Sequence, residues 1–153
     1  MKQQLIYSWY EQYKNGIFRY ALSILKDSHG AEDIVHDTFV KALSQGHLPE
    51  PENAQAWLYR VARNLCYDRL RKIKYEQLQL EVPVQAENPY EYIELIASLA
   101  PKDREIVTLR IVGGLTHQEI GAVLGIHGKA AQKRYERAIA TLREKEDSLW
   151  NKN

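Results

Sequence analysis

The sequence predicts an all-α protein made of two small helical domains that a flexible linker joins. Apolar residues recur at helical spacing almost throughout, and no segment shows the strict alternation of an amphipathic strand. The 153 residues, 44% hydrophobic and 27% charged, suffice for one medium domain or two small helical ones. This size excludes a fibre, a long disordered tail and a multi-domain enzyme.

The charge distribution divides the chain further, although the net charge is only +1. Residues 54–76 carry six basic and two acidic residues, and residues 101–153 carry ten basic and seven acidic ones. Residues 77–100 contain four acidic residues and no Lys or Arg. Two basic blocks on either side of an acidic stretch predict two domains that each face a polyanion, joined by a connector that polyanions repel.

The first domain, residues 1–74, is predicted to contain four amphipathic helices around one core. The first two helices are separated near Asn15-Gly16, and the third helix stops at Gly46. The apolar stripe of the first helix comprises Leu5, Ile6, Trp9, Tyr10 and Tyr13, and that of the second comprises Ile17, Phe18, Ala21, Leu22 and Leu25. The stripe of the third helix comprises Ala31, Ile34, Val35, Thr38, Phe39, Ala42 and Leu43.

Pro49 and Pro51 predict a loop before the fourth helix, because proline lacks an amide donor and clashes inside a helix. We expect that helix to start after Asn53, a good N-cap residue. Its apolar face comprises Ala54, Trp57, Leu58, Val61, Ala62 and Leu65, and the lone Cys66 is expected to be a small buried hydrophobe.

Residues 75–89 form the predicted linker, because they combine prolines with Gln and Glu and show no sustained helical period. The second domain, residues 90–153, contributes Ile93, Ile96 and Leu99 before Pro101 opens a helix at its first turn. This helix has an apolar face of Ile106, Val107, Leu109 and Ile111, and it ends at Gly113-Gly114.

Residues 115–138, LTHQEIGAVLGIHGKAAQKRYERA, predict a helix-turn-helix. Thr116 and Glu119 have the spacing of a capping box, Gly121 permits a close crossing, and Gly125 suits a sharp turn with positive φ. In the following helix Ala131, Tyr135, Ala138, Ile139 and Leu142 face inward. The outward polar residues suit the edges of bases in a major groove; they are Lys129, Gln132, Lys133, Arg134, Glu136 and Arg137.

The fourth helix of the first domain carries a second polar edge. Arg60, Arg63, Asn64, Asp68 and Arg71 recur at spacings of three and four, away from the apolar stripe. A basic helix face that only contacts solvent is the ordinary interpretation of this fourth helix. An inert helical hairpin is the ordinary interpretation of residues 115–138. The occurrence of both motifs in one chain favours nucleic-acid binding.

The chain resembles the extracytoplasmic-function sigma factors of bacterial RNA polymerase over nearly its whole length. AEDIVHDTFVKAL and AWLYRVARNLCYDRLRK resemble the family's promoter-melting domain. LAPKDREIVTLRIVGGLTHQEIGAVLGI resembles its helix-turn-helix domain, in the same order and spacing. The resemblance implies a factor that binds core RNA polymerase and directs initiation at promoters, with an anti-sigma factor as a further partner.

The resemblance also assigns roles to residues. Asn64, with the loop from Gly46 to Asn53, would hold a base flipped from the −10 element, and Arg60, Arg63 and Arg71 would hold backbone phosphates or neighbouring bases. Asp68 completes the set of residues expected at the −10 element. The outward face of the third helix, Asp33, His36, Asp37 and Lys41, would dock on the polymerase.

By the same resemblance, Gln132, Lys133, Glu136 and Arg137 would read the −35 element, with Lys129 and Arg134 at phosphates. This chain has HGKAAQ at the start of the helix, so that Gln132 stands where the family usually has a cation. The departure affects the expected promoter sequence and DNA affinity but not the fold.

Three alternatives remain at this point. His29, Glu32, Asp33 and His36 share a helical spacing that would suit a metal site of a sensor or enzyme. A sigma mimic would keep the two-domain shape to sequester an anti-sigma factor, and a helix-turn-helix regulator would bind DNA as a dimer. Under the main interpretation we expect no catalytic residue, cofactor, bound metal or small-molecule substrate.

The expected compartment is the cytoplasm. The start of the chain lacks a secretory apolar core, the apolar runs are too short for membrane insertion, and one cysteine suits a reducing environment.

Overall fold

The computed structural model describes residues 2–76 and 96–150, with side chains described for 2–73 and 96–145. Within these ranges every regular element is helical, as predicted. None of the described helices is both long enough and apolar enough to cross a membrane. The helices are α1 (Lys2–Leu25), α2 (Ser28–Ser44), α3 (Pro51–Glu76), α4 (Pro101–Ile111), α5 (His117–Leu124) and α6 (Gly128–Trp150).

The chain divides into two compact units, Met1–Gln85 and Ala86–Asn153, which we call unit 1 and unit 2. Helix α3 continues to Glu76, two residues into the predicted linker of residues 75–89. The rest of that linker lies outside the described residues, as do Tyr90 and Ile93 at the predicted start of the second domain.

Unit 1 contains three helices in its described part, so the prediction of four helices was wrong. Helix α1 runs without a break through Asn15-Gly16, where we expected a turn. A glycine inside a helix costs only about 1 kcal/mol relative to alanine. Trp9 and Ile17 are buried on either side of the glycine, and each buried large apolar side chain contributes about 1.5–3 kcal/mol. Tertiary packing therefore outweighs the local helix-breaking tendency.

Helix α2 begins at the carboxylate of Asp27, which accepts hydrogen bonds from the backbone amides of His29 and Gly30, each at 3.2 Å. Such a cap is typically worth about 1 kcal/mol. The predicted apolar stripe is buried from Ala31 to Ala42. Leu43, predicted to face inward, is instead 47% exposed at the penultimate residue of the helix.

Helix α3 begins at Pro51 rather than after Asn53. Proline is well tolerated in the first turn, because its missing amide would have no helical partner there. The helix packs on α1 partly through the rings of Tyr20 and Tyr59, whose centroids are 5.5 Å apart. Burial, and to a lesser degree the nearby Tyr13, raises the pKa of Tyr59 above its ordinary value. Cys66 is fully buried, as predicted.

Unit 2 is built around α4, of which Glu105 to Leu109 are all buried. Ile111 was predicted to complete the apolar face but is 55% exposed at the last residue of the helix. The chain then turns at Gly114, which has a φ of 68°. Arg110 Nη1 donates a 2.8 Å hydrogen bond to the carbonyl oxygen of Leu115, which fixes the entry to the next helix.

Helices α5 and α6 form the predicted helix-turn-helix. The capping box of Thr116 and Glu119 is present, with hydrogen bonds of 3.0 and 3.1 Å. Gly125 adopts the left-handed conformation at φ 73°. A Cβ atom on Gly121 would lie 2.5 Å from the backbone oxygen of Ile126 and 3.2 Å from the backbone nitrogen of Gly128. The close approach at Gly121 is thus to the turn and the start of α6.

We expect Gly121→Ala to destabilise unit 2. The added methyl group meets backbone, which cannot rotate away, and overpacking of this kind costs about 1–3 kcal/mol. That cost exceeds the gain of up to about 1 kcal/mol in helix propensity. Urea unfolding of the full chain and hydrogen exchange of the α5 amides would measure the change.

Gly128→Ala is the matched control, because its Cβ would meet its nearest neighbour, Gln118 Cα, at an ordinary 3.4 Å. We expect this variant to be as stable as the unmodified chain or slightly more stable. Equal stability of the two alanine variants would contradict a steric requirement at Gly121.

Candidate nucleic-acid interface

The outward edge of α3 is defined by the burial of the opposite face. Leu58, Ala62 and Cys66 are fully buried at spacings of four residues. Arg60 and Asn64 occupy the same spacing on the other side of the helix and are exposed. The other members of this edge that the sequence predicted are Arg63, which is half-buried, and Asp68 and Arg71, which are exposed.

Two contacts organise the α3 edge. The guanidinium carbon of Arg63 lies 4.8 Å from the ring centroid of Tyr67, one helical turn further along. Arg71 donates a hydrogen bond to the carboxylate of Asp68. A cation over a ring is worth about 0.5–1 kcal/mol at an exposed site. Tyr67 therefore restricts the position of Arg63, and Arg71 partly offsets the negative charge of Asp68.

Tyr67, through its contact with Arg63, belongs to the candidate site, although it was not among the residues predicted from the sequence. An aromatic residue four positions after an arginine on a helix is the signal that could have identified it. Arg69 was also not assigned, and the structure places it away from the edge. Its Nη1 atom forms a 3.1 Å salt bridge with the carboxylate of Asp33 on α2.

The predicted docking face on α2 is accessible, since Asp33, His36, Asp37 and Lys41 are all exposed. Asp33 differs from the others because of its salt bridge to Arg69. Next to this face, α1 and α2 form an open pocket of about 360 Å³. Its walls combine apolar, cationic and acidic side chains, contributed by Tyr10, Lys14, Asn15, Phe18, Glu32, Val35 and His36.

The structure does not support the metal site considered for His29, Glu32, Asp33 and His36. All four residues are exposed on α2. Among the described residues, no three His, Cys, Asp or Glu side chains are grouped so that they could hold a metal ion. Asp33 has Arg69 as its partner instead.

Helix α6 presents the second polar edge. Ala131 and Ala138 are fully buried on its inner face, and the ring of Tyr135 packs against His117 of α5 with centroids 5.6 Å apart. Of the six predicted residues, Arg134 is half-buried, and the exposed ones are Lys129, Gln132, Lys133, Glu136 and Arg137.

Neighbouring side chains along α6 interact with each other. Gln132 Nε2 donates a 3.2 Å hydrogen bond to Glu136 Oε1, and Arg137 Nε lies 3.4 Å from the carbonyl oxygen of Lys133. Residues 129–137 contain four cations and a single carboxylate. This balance gives the edge the positive charge that attracts DNA phosphates.

Two family models match the chain in the order of its two units. The Sigma-70 region 2 model matches residues 9–75, and the Sigma-70 region 4 model matches residues 90–142. The first match contains the whole α3 edge, and the second contains the helix-turn-helix.

Bacterial sigma factors are similar to this chain along most of its length. The ECF RNA polymerase sigma factor SigE of Mycolicibacterium smegmatis is 29% identical across 90% of this chain and 61% of its own length. The ECF RNA polymerase sigma factor SigM of Bacillus subtilis is 26% identical across 94% of this chain and 93% of its own length. The chain therefore spans less than two thirds of SigE but nearly all of SigM.

Two solved structures are also similar to this chain along most of its length. CnrH, solved in complex with the cytosolic domain of CnrY, is 26% identical, with a TM-score of 0.71 over 95% of this chain and 90% of that chain. The sigma factor RpoE from Bartonella quintana, solved with the anti-sigma factor NepR, shares the fold, with a TM-score of 0.70 over 86% of this chain and 89% of that one, at 23% identity. With a region 2 in unit 1 and a region 4 in unit 2, the chain belongs to the extracytoplasmic-function group of the sigma-70 family.

Proposed function

We propose that this chain binds core RNA polymerase and directs it to promoters, with the α3 edge at the −10 element and the α6 edge at the −35 element. The observation that carries the proposal is the presence of two cationic helix edges, one in each unit, within the segments that match regions 2 and 4. Two separate edges suit one long DNA site contacted at two places.

The α3 edge has the chemistry to capture unpaired DNA. Its amide, Asn64, can both donate and accept hydrogen bonds, and it lies one residue after Arg63 and three before Tyr67. Unpairing a base costs a few kcal/mol, whereas contacts to an extruded base recover about 1–3 kcal/mol for each stacked base. An edge that binds only the extruded base therefore couples recognition to strand opening. Strand opening of this kind needs no catalytic residue.

The α6 edge suits double-stranded DNA. Lys133, Glu136 and Arg137 extend from the exposed side of a helix whose start follows a tight turn, as in helices that enter the major groove. Lys129 and Arg134 would neutralise phosphates, which supplies affinity without sequence preference.

The exposed face of α2 is the proposed contact with polymerase, through His36, Asp37 and Lys41 together with Asp33. The neighbouring α1–α2 pocket extends the surface that a partner could bind. An anti-sigma factor is a further partner in this proposal, since both similar structures were solved with a second protein, which for the Bartonella quintana factor is the anti-sigma factor NepR. The cytoplasm is the proposed compartment, because polymerase and promoters are there.

A reconstitution experiment tests the proposal against the two remaining alternatives. The full chain is mixed with core RNA polymerase, and co-elution and promoter-dependent transcription are measured. We expect both. Co-elution without initiation would favour a sigma mimic. The observation behind this alternative is that Gln132 stands where the family usually has a cation. An absence of co-elution would favour an independent helix-turn-helix regulator.

We expect Asn64→Ala to reduce open-complex formation by about tenfold, because losing the hydrogen bonds to a flipped base costs roughly 1–1.5 kcal/mol. Permanganate reactivity of unpaired thymines would measure the opening, while co-elution checks that polymerase binding is unchanged. Gln12→Ala removes an exposed amide from α1 and serves as the control. Equal opening by the Asn64 variant and the control would contradict the role of Asn64.

We expect Arg137→Ala to lose about 1–3 kcal/mol of discrimination at one upstream base pair. Binding of the reconstituted holoenzyme to a panel of single-base variants of the promoter would measure this. Arg143→Ala is the control, because it removes an exposed arginine from a more distant turn of the same helix. A uniform loss over all sequences would identify Arg137 as a phosphate contact instead.

A further inference from the structure

The hydrogen bond between Gln132 and Glu136 determines which end of the Gln132 amide faces the carboxylate. The donor, Gln132 Nε2, is 3.2 Å from Glu136 Oε1, and both residues are exposed one turn apart on α6. A carboxylate can only accept hydrogen bonds, so the amide must turn its NH₂ group toward Glu136. The orientation of the amide thus follows from the chemistry of its partner.

This orientation leaves the exposed pair with more hydrogen-bond acceptors than donors for a ligand. Gln132 Oε1 and the second carboxylate oxygen of Glu136 can each accept a hydrogen bond, and a single amide hydrogen remains for donation. In the major groove, adenine N6 and cytosine N4 are the amino groups that donate. Guanine and thymine present the acceptors O6 and O4 at the corresponding positions, which a carboxylate repels.

We propose that Gln132 and Glu136 act as one unit that selects bases with an exocyclic amino group, adenine or cytosine, within the upstream promoter element. The inference rests on the proposed function and specifies the base class that α6 reads. A cation at position 132 would donate to guanine instead. This chain therefore prefers a different base at that position from a relative that carries a lysine there.

The neighbouring charges make the selection effective. Lys129, Lys133 and Arg137 are exposed on the same helix and attract any DNA sequence. Glu136 is the single carboxylate among residues 129–137, and its negative charge opposes that attraction unless an amino group satisfies it. The pair thus discriminates mainly by penalising the wrong base.

The test is a selection from a promoter library with a randomised upstream element, using holoenzyme reconstituted from the full chain and core polymerase. We expect adenine or cytosine to be enriched by about fivefold to one-hundredfold over guanine and thymine at one or two adjacent positions of one strand. Glu136→Gln should reduce that preference at least fivefold, because an amide donates as well as accepts. Gln132→Lys should shift the preference toward guanine.

Glu144→Gln is the matched control, since it removes the same charge from an exposed site two turns away from Glu136. It should leave every base preference unchanged. Co-elution of each variant with polymerase verifies its folding. Enrichment of guanine or thymine by the unmodified chain, or unchanged preferences in Glu136→Gln, would overturn the inference while the proposed function stands. If the unmodified chain does not co-elute with core polymerase, both the inference and the proposed function are wrong.

Discussion

Each of the two polar edges exists because the opposite face of its helix is buried. On α3, the core contacts of Leu58 and Ala62 determine the rotation of the helix about its axis and so turn Asn64 outward. On α6, Ala131 and Ala138 do the same. Hydrophobic burial thus orients side chains that do not themselves enter the core.

The helical class and most of the buried stripes could be predicted from the sequence, because amphipathic spacing is a local signal. The helix-turn-helix was predictable for the same reason, since the capping box and Gly125 act within a few residues. The expected break at Gly16 was wrong because packing of α1 against other helices outweighs a weak local preference. The salt bridge of Asp33 with Arg69 joins residues 36 positions apart, and no local pattern contains that information.

Each polar edge contains an acidic residue that has a hydrogen-bond partner on the same helix. Asp68 pairs with Arg71 on α3, and Glu136 accepts a hydrogen bond from Gln132 on α6. Arg71 offsets the charge of Asp68, whereas the neutral amide of Gln132 restricts the geometry of Glu136 and leaves its negative charge in place. The roles assigned to these residues remain predictions, and the two pairings differ in charge: the Asp68 pair is neutral overall, whereas the Glu136 pair is negative.

The turn between α5 and α6 depends on two glycines and not on the outward side chains of α6. The nearest neighbours of Gly121 are backbone atoms of this turn and of the start of α6, and Gly125 contributes its conformation rather than a side chain. None of the six outward residues of α6 takes part in that approach. The exposed residues of this helix edge can therefore be substituted while Ala131 and Tyr135 keep their core contacts. If the edge reads promoters as proposed, chimeric factors with new promoter preferences should be obtainable on this scaffold without redesign of its fold.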